Sequence, residues 1–343
     1  MMRWLRSRLR KSFLSFTTPT LTVLAMMLLI MPEARADLLC FFRIRRCQDQ
    51  IGRASNRQGG GLRTGRARGG SQANVPYVIS PRNTWLVDDH FTIRWNPVSA
   101  ATRYTVSLWR LSDERDERDW LVWRTTVDGA QVDYQGQIPL QRGRYYSIEV
   151  VTDTGVSSCL DEGFDQSGFE LIFPEDMTVL EADLHWLPRP ELSPEEEALE
   201  LASLYLREDL IAAAVEVLEP FAANGANNPV VYEALGDLYS YAGLNDLSAQ
   251  HYQKAGYLST VRGDILGQAI ALNGLAEVNA TLGKLDDAIR LFSEAESLYR
   301  TFDNQGPQIA SIQRRIKTLE LAKQSDYVQP DTQNFCELSE LSL

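Results

Sequence analysis

Apolar and polar residues alternate through much of the stretch from residue 77 to residue 174, which is the pattern of strands that bury one face. The clearest alternating positions lie on two successive segments, Phe91, Ile93 and Trp95, then Tyr104, Val106 and Leu108. Turn residues such as Asn96-Pro97 and Asp128-Gly129 punctuate the stretch. Short strands at this spacing predict a β-sandwich over residues 76–175.

The pattern changes near Glu191, after which apolar residues recur at the three- and four-residue spacing of amphipathic helices. Ser193 predicts a helix start, because it can cap the first turn and is followed by Pro194 and acidic residues. Further on, two stretches, Tyr232–Tyr239 and Leu272–Asn279, are copies of one motif. The sequence therefore predicts a helical region built from repeats.

The spacing of the copies predicts helix pairs stacked along residues 193–324. Equivalent leucines stand at positions 201, 235 and 275, so the copies are 34 and 40 residues apart. A last amphipathic helix is predicted from about Pro307 to Lys323. Its basic face, with Arg314, Arg315 and Lys317, is expected to meet water as the outer face of a capping helix does.

The run Tyr232-Glu-Ala-Leu235-Gly236-Asp-Leu-Tyr239 resembles the W-x2-L-G-x2-Y motif of tetratricopeptide repeats (TPRs). The resemblance implies an all-α TPR solenoid of three repeats, whose concave face binds a segment of another protein. It also implies structural roles in which small and aromatic residues pack the helices together. These residues are Gly236, Tyr239, Ala288 and Phe292.

The same resemblance places the concave positions on the first helix of each pair. In the three repeats they are Leu199, Ser203, Leu206 and Arg207; Glu233, Asp237, Ser240 and Tyr241; and Asn273, Glu277 and Ala280. The predicted partner-binding groove uses Arg207, Glu233, Asp237, Tyr241, Asn273 and Glu277. Its acidic residues would repel a carboxylate, so we expect a basic or neutral peptide. The alternative is that these acids only form a solvated face.

A second resemblance concerns the predicted sandwich. Leu140–Val150 resembles the L-x-P-G-x-x-Y-x-V-x-V strand of fibronectin type III domains, and Ile93–Pro97 resembles the early tryptophan strand of that family. The resemblance implies a multidomain chain in which an all-β immunoglobulin/fibronectin-like sandwich precedes the solenoid. Tyr146 would be the tyrosine-corner residue, with a buried ring and a hydroxyl bonded to nearby backbone.

The first 36 residues have the three-part anatomy of a secretory signal peptide. A basic leader precedes an apolar run of 11 residues, Leu21–Met31, and Ala34-Arg35-Ala36 closes the segment. The run is short for a membrane span, and an uncleaved anchor is the alternative. We therefore expect an exported bacterial protein, periplasmic or extracellular, after cleavage near Ala36.

The net charge of −12 is unevenly distributed, since residues 1–75 carry +11 and residues 76–343 carry −23. Residues 37–75 are rich in Gly and Arg and poor in large apolar side chains, which predicts a basic disordered linker. Contact of this basic tail with an anionic envelope surface is a further role open to it. The acidic body argues against nucleic-acid binding. Residues 176–192 are predicted as a second linker and residues 325–343 as a flexible tail.

Candidate chemistry is sparse. His90, His185 and His251 are widely separated, so we predict no metal site, and the absence of catalytic or cofactor-binding motifs predicts a protein that is not an enzyme and uses no cofactor. The disulfide pairing stays open among Cys40, Cys47, Cys159 and Cys336. A Cys40–Cys47 bridge is plausible in an oxidising compartment, and the other two could pair or stay reduced.

Together these features predict an exported, non-enzymatic adaptor or scaffold that binds protein through the TPR groove. The alternative is an envelope- or polysaccharide-binding module that uses the sandwich and the basic tail, with the repeats as a spacer. In that case Trp109, Trp120 or Trp123 could stack on sugar rings. Neither the partner nor the oligomeric state follows from the sequence.

Overall fold

The computed structural model describes residues 69–112, 119–164, 167–185, 187, 191–303 and 305–324. The predicted leader, most of the basic linker, Cys40, Cys47, Cys336 and the predicted C-terminal tail lie outside these residues. All the described residues belong to one compact unit. None of their helices combines the length and the apolar character required to cross a bilayer.

The N-terminal part of this unit, the β region, contains two sheets. Its described strands are β1 (Val78–Ser80), β2 (Thr84–Leu86), β3 (His90–Trp95), β4 (Tyr104–Arg110), β5 (Trp120–Val127), β6 (Gln131–Gln135), β7 (Tyr146–Thr152) and β8 (Phe169–Leu171). One sheet has the order β1-β3-β6, and the other has the order β2-β8-β7-β4-β5. Strand β2 runs parallel to β8, whereas the other paired strands are antiparallel.

The two sheets share one apolar core. Ile93 and Trp95 of β3 and Tyr134 of β6 belong to the same buried cluster as Val106 and Leu108 of β4. The predicted alternation is therefore confirmed, because its apolar positions form this core.

The prediction for Tyr146 is also confirmed. Its ring is buried, with 1% of the residue exposed. Its hydroxyl accepts a hydrogen bond of 2.8 Å from the main-chain N–H of Gln141, five residues earlier. The bond fixes the approach to β7, since it satisfies both a buried hydroxyl and an N–H of the preceding turn.

Helices follow the strands, in the order that the sequence predicts. The described helices are α1 (Pro174–His185), α2 (Pro194–Arg207), α3 (Ile211–Ala223), α4 (Pro229–Tyr241), α5 (Asn245–Arg262), α6 (Ile265–Thr281), α7 (Leu285–Tyr299) and α8 (Gly306–Gln324). Ser193 starts α2 with a capping box, in which its side chain accepts from the N–H of Glu196 while the Glu196 carboxylate accepts from the N–H of Ser193. We call α2–α8 the helical repeat.

Helix α1 occupies most of the segment predicted as a linker, residues 176–192. It forms because Met177, Leu180 and Leu184 recur at helical spacing and pack in one apolar cluster with Leu204 of α2. The sequence did not predict this helix, because its apolar positions form only a short run between prolines. Helix α1 therefore covers the N-terminal end of the helical repeat.

The repeat consists of the successive pairs α2–α3, α4–α5 and α6–α7, followed by α8. The ring of Tyr252 on α5 lies against both Gly236 of α4 and Gly274 of α6. A Cβ atom at Gly274 would lie 2.3 Å from Cε1 of that ring, so the glycine permits the close approach. Ala288 and Phe292 are fully buried in the next cluster, as the resemblance implies.

The β region and the helical repeat meet in a buried seam. Val75 and Tyr77 join the apolar cluster that contains Leu235 and Leu238 of α4. In addition, the Arg94 guanidinium of β3 pairs with Glu219 of α3 at 2.8 Å. The end of the predicted basic linker, residues 69–75, is thus packed against the body, because the few residues here that are small or apolar fit this seam.

Candidate functional site

The predicted groove residues lie on the first helices of the three pairs, and each is partly buried. Arg207 stands at the end of α2, Glu233, Asp237 and Tyr241 on α4, and Asn273 and Glu277 on α6. Two of the wider set of concave positions, Leu199 and Ser240, are buried, with 5% and 6% of the residue exposed. These two side chains contribute to packing between helices.

Arg207 and Tyr241 are held by neighbouring parts of the chain. The Arg207 guanidinium lies 2.8 Å from the Asp183 carboxylate of α1, and the Tyr241 hydroxyl donates to Asp209 at 3.0 Å. Burial raises the pKa of Tyr241, and the charge of Asp209 adds to the shift. This end of the predicted groove therefore ties α2 and α4 to α1 and to the α2–α3 turn.

Glu277 is held at the opposite end. The Arg315 guanidinium of α8 lies 3.0 Å from the Glu277 carboxylate through Nη2 and 3.1 Å through Nε. Arg314 and Lys317 are exposed, as expected, and the Arg315 side chain is 37% exposed while its guanidinium reaches Glu277 of α6. The pair compensates the charge of Glu277, which leaves less negative charge on this part of the face than the sequence indicates.

The centre of the face is formed by Glu233 and Asp237, one turn apart on α4. Burial raises the pKa of Glu233 to about 8, and the charges of Asp237 and Asp264 raise it further. The hydroxyl of Tyr252 donates to Asp237 from the packed helix α5. At neutral pH the Glu233 side chain is therefore mostly protonated, while Asp237 accepts a hydrogen bond within the repeat.

Asn273 lies on α6, about one turn before Glu277. Its side chain is partly buried, and an amide supplies both hydrogen-bond donors and an acceptor. Among the six predicted residues, it is the one whose chemistry best suits a neutral polypeptide backbone. Sequence reasoning missed the contacts that Asp183, Asp209 and Arg315 make with this face from other elements, because no spacing along one helix indicates such contacts.

The three tryptophans considered for sugar binding have different surroundings. The ring of Trp123 packs edge-on against Tyr134 with centroids 5.4 Å apart, and the Arg124 guanidinium lies 5.9 Å from the Trp109 ring. Trp120 is 51% exposed, with the guanidinium of Arg110 5.6 Å from its ring. Trp120 thus offers the most accessible ring of the three, in a shallow depression shared with Leu121, Val122 and Ile138.

Within the ranges that the structure describes, no group of three or more His, Cys, Asp or Glu side chains is arranged to hold a metal ion. Cys159 is the one cysteine in those ranges, and its Sγ lies 3.7 Å from the Glu149 carboxylate. Neither observation bears on the pairing of the other cysteines.

No family model matches the sequence, and a search of curated proteins gives no match. Among solved structures, one titled "Crystal structure of MamA protein" aligns with 46% of this chain and 85% of its own chain, at 20% sequence identity and a TM-score of 0.27. A TM-score this low does not establish a shared fold. The helical repeat is identified from its own helix pairs and their contacts.

Proposed function

We propose that this chain is an exported, non-enzymatic adaptor whose TPR-like helical repeat binds a segment of another protein. One observation carries the proposal: the predicted groove side chains lie on α2, α4 and α6, the first helices of successive pairs, and remain partly accessible while core residues such as Leu235, Ala276 and Phe292 are enclosed. Surfaces of this kind bind extended or helical segments in repeat proteins. The β region is proposed to be a fibronectin-III-like sandwich that is fixed to the repeat.

The chemistry of the face favours a neutral segment over a strongly basic one. Glu277 is paired with Arg315, and burial keeps Glu233 mostly protonated at neutral pH. Asn273 can bond both to N–H groups and to carbonyl groups of a partner backbone. The sequence alone left basic and neutral partners equal, and these contacts support the neutral one.

A site-specific photo-crosslinker tests the groove directly. Placed at Asn273, it is expected to capture the same protein repeatedly from an envelope extract of the source cells. The matched control is Gln253, an exposed residue on α5, the second helix of its pair. Equal capture from both positions, or capture from Gln253 alone, would move the binding surface away from the groove.

Export is proposed from the leader in the sequence. N-terminal sequencing of protein from the envelope fraction is expected to start at Asp37, while an intact Met1 on membrane-bound protein would identify an anchor instead.

The second candidate function is polysaccharide or envelope binding through the β region, and the exposure of Trp120 is the observation that favours it. Retention on a glycan array that Trp120→Ala abolishes would support this candidate. The depression beside Trp120 is lined by Leu121, Val122 and Ile138 together with Arg110, whereas sugar hydroxyls need several polar partners.

A further inference from the structure

Two glycines at the end of the basic linker are buried where the β region meets the helical repeat. The carbonyl of Gly69 accepts hydrogen bonds of 3.2 Å from the main-chain N–H and from the side-chain amide of Asn245, at the start of α5. The N–H of Gly70 donates to the Asp161 carboxylate at 2.8 Å. The glycine pair thus links a loop of the β region to the α4–α5 turn.

Only glycine fits at these two positions. A Cβ atom at Gly69 would lie 2.6 Å from Nη2 of Arg82 and 2.7 Å from Oδ2 of Asp161. A Cβ atom at Gly70 would lie 2.9 Å from the Cα atom of Leu244, and the φ angle of +59° there is one that side chains disfavour. The backbone of Gly69 and Gly70 therefore lies in direct contact with the surrounding residues of the seam.

Arg82 connects the same carboxylate to the helical repeat. Its Nη2 donates to Asp161 at 2.8 Å, and its Nε donates to the carbonyl of Ala242 at 2.8 Å. Both charged side chains are 1% exposed. Ala242 follows the last residue of α4, where a cation is favourable because helix carbonyls there lack partners within the helix. Loss of either partner would leave a buried charge unpaired.

We propose that Gly69, Gly70, Arg82, Asp161 and Asn245 form a clasp that holds the β region and the helical repeat at one fixed angle. With the clasp closed, the two parts unfold together and present their surfaces to a partner as one rigid body. With the clasp open, the coupling between them is weakened, and each part can unfold at its own denaturant concentration. This proposal does not depend on which surface binds the partner.

The distribution of tryptophan allows each part to be followed by its own signal. From residue 37 onward the tryptophans occupy positions 85 to 186, and residues 193–324 contain none. Tryptophan fluorescence therefore reports on the β region and its border, while far-UV circular dichroism at the helix band reports on the helical repeat. The native chain is expected to give coincident unfolding transitions with the two probes.

The test variant is Gly70→Ala, and the matched control is Gly225→Ala, at a glycine with φ of +75° and nothing within 4 Å of the added Cβ atom. Both variants carry the backbone strain, and Gly70→Ala alone carries the steric clash. We expect the two transitions to separate in Gly70→Ala and to stay coincident in Gly225→Ala. Separate transitions in the native chain, or coincident and unshifted ones in Gly70→Ala, would overturn the proposal.

Native-state hydrogen exchange decides the matter without any substitution, even where Gly70→Ala does not fold. The amides of Gly70 and Asn245 are expected to be protected to within about tenfold of core amides such as those of Ile93 and Leu238. If the two clasp amides exchange much faster than the core amides, the seam opens while both parts stay folded, and this result would contradict a clasp.

Discussion

Glu233 is a residue whose burial changes its ordinary chemistry. Its pKa of about 8 in the folded chain lies above the ordinary value of 4.5, so the folded state binds the extra proton between these values. Stability contributed by this group is therefore present at low pH and is lost as the pH rises from about 4.5 to about 8. Burial causes most of the shift, with Asp237 and Asp264 next.

Glu233→Gln is expected to remove this loss of stability at high pH. At pH 8.5 the variant should exceed the native chain by at least about 1 kcal/mol in free energy of unfolding, because one pKa unit corresponds to about 1.4 kcal/mol. At acidic pH the two should be similar. Urea unfolding at both pH values measures the effect, with the exposed carboxylate variant Glu320→Gln as control. An equal advantage at both pH values would contradict the assignment.

The same substitution, glycine to alanine, is expected to have opposite effects on stability at Gly274 and at Gly256. Gly274→Ala places a Cβ atom 2.3 Å from the Tyr252 ring, so we expect a loss of about 1–3 kcal/mol from overpacking. Gly256→Ala on α5 meets only the Cβ of Ala271 at 3.5 Å, and we expect a gain of up to about 1 kcal/mol from helix propensity. Thermal unfolding of both variants checks the pair, and effects of the same sign would refute this account of the packing.

Helix α8 does more than cap the helical repeat, because its Arg315 pairs with Glu277 of α6. Arg315→Glu should lower the free energy of unfolding by about 1–3 kcal/mol, since it breaks a charged hydrogen bond and sets two carboxylates together. The neighbouring exposed residue gives the control, Arg314→Glu, for which we expect little change. Similar losses in both would indicate a general effect of charge on α8.

Sequence patterns predicted most elements, because a strand or a helix with one buried face has a fixed period. The helix pairs were predicted from periodicity and repeat spacing, and the buried Tyr146 from the resemblance to fibronectin type III domains. Helix α1 was not predicted, because its apolar positions are few and lie next to proline-rich sequence. In the candidate site, the residues and their helices could be predicted, but their ion pairs could not, since Asp183 and Arg315 come from elements far away in the sequence.

Across the whole molecule, the seam is the feature that the sequence conceals. Arg82 and Asp161 are single charged residues 79 positions apart, and nothing in their local sequence distinguishes them from surface residues. Composition predicted a disordered linker up to residue 75, because glycine-rich sequence rarely forms a core. Gly69 and Gly70 have no side chain. This is why their composition predicted disorder, and it is also why their backbone can pack closely in the seam.

Two contacts of the helical repeat, one at its C-terminal end and one at the end of α4, also bear on how this protein can evolve. Repeat arrays commonly lengthen or shorten by duplication or loss of a unit, because each unit contacts only its neighbours. Here Arg315 of α8 is matched to Glu277 of α6, and Arg82 is matched to the end of α4. A pair inserted before α8, or one deleted near the seam, would separate these partners. We therefore expect loss or duplication of a helix pair to destabilise this chain more than it does in a repeat array without such contacts.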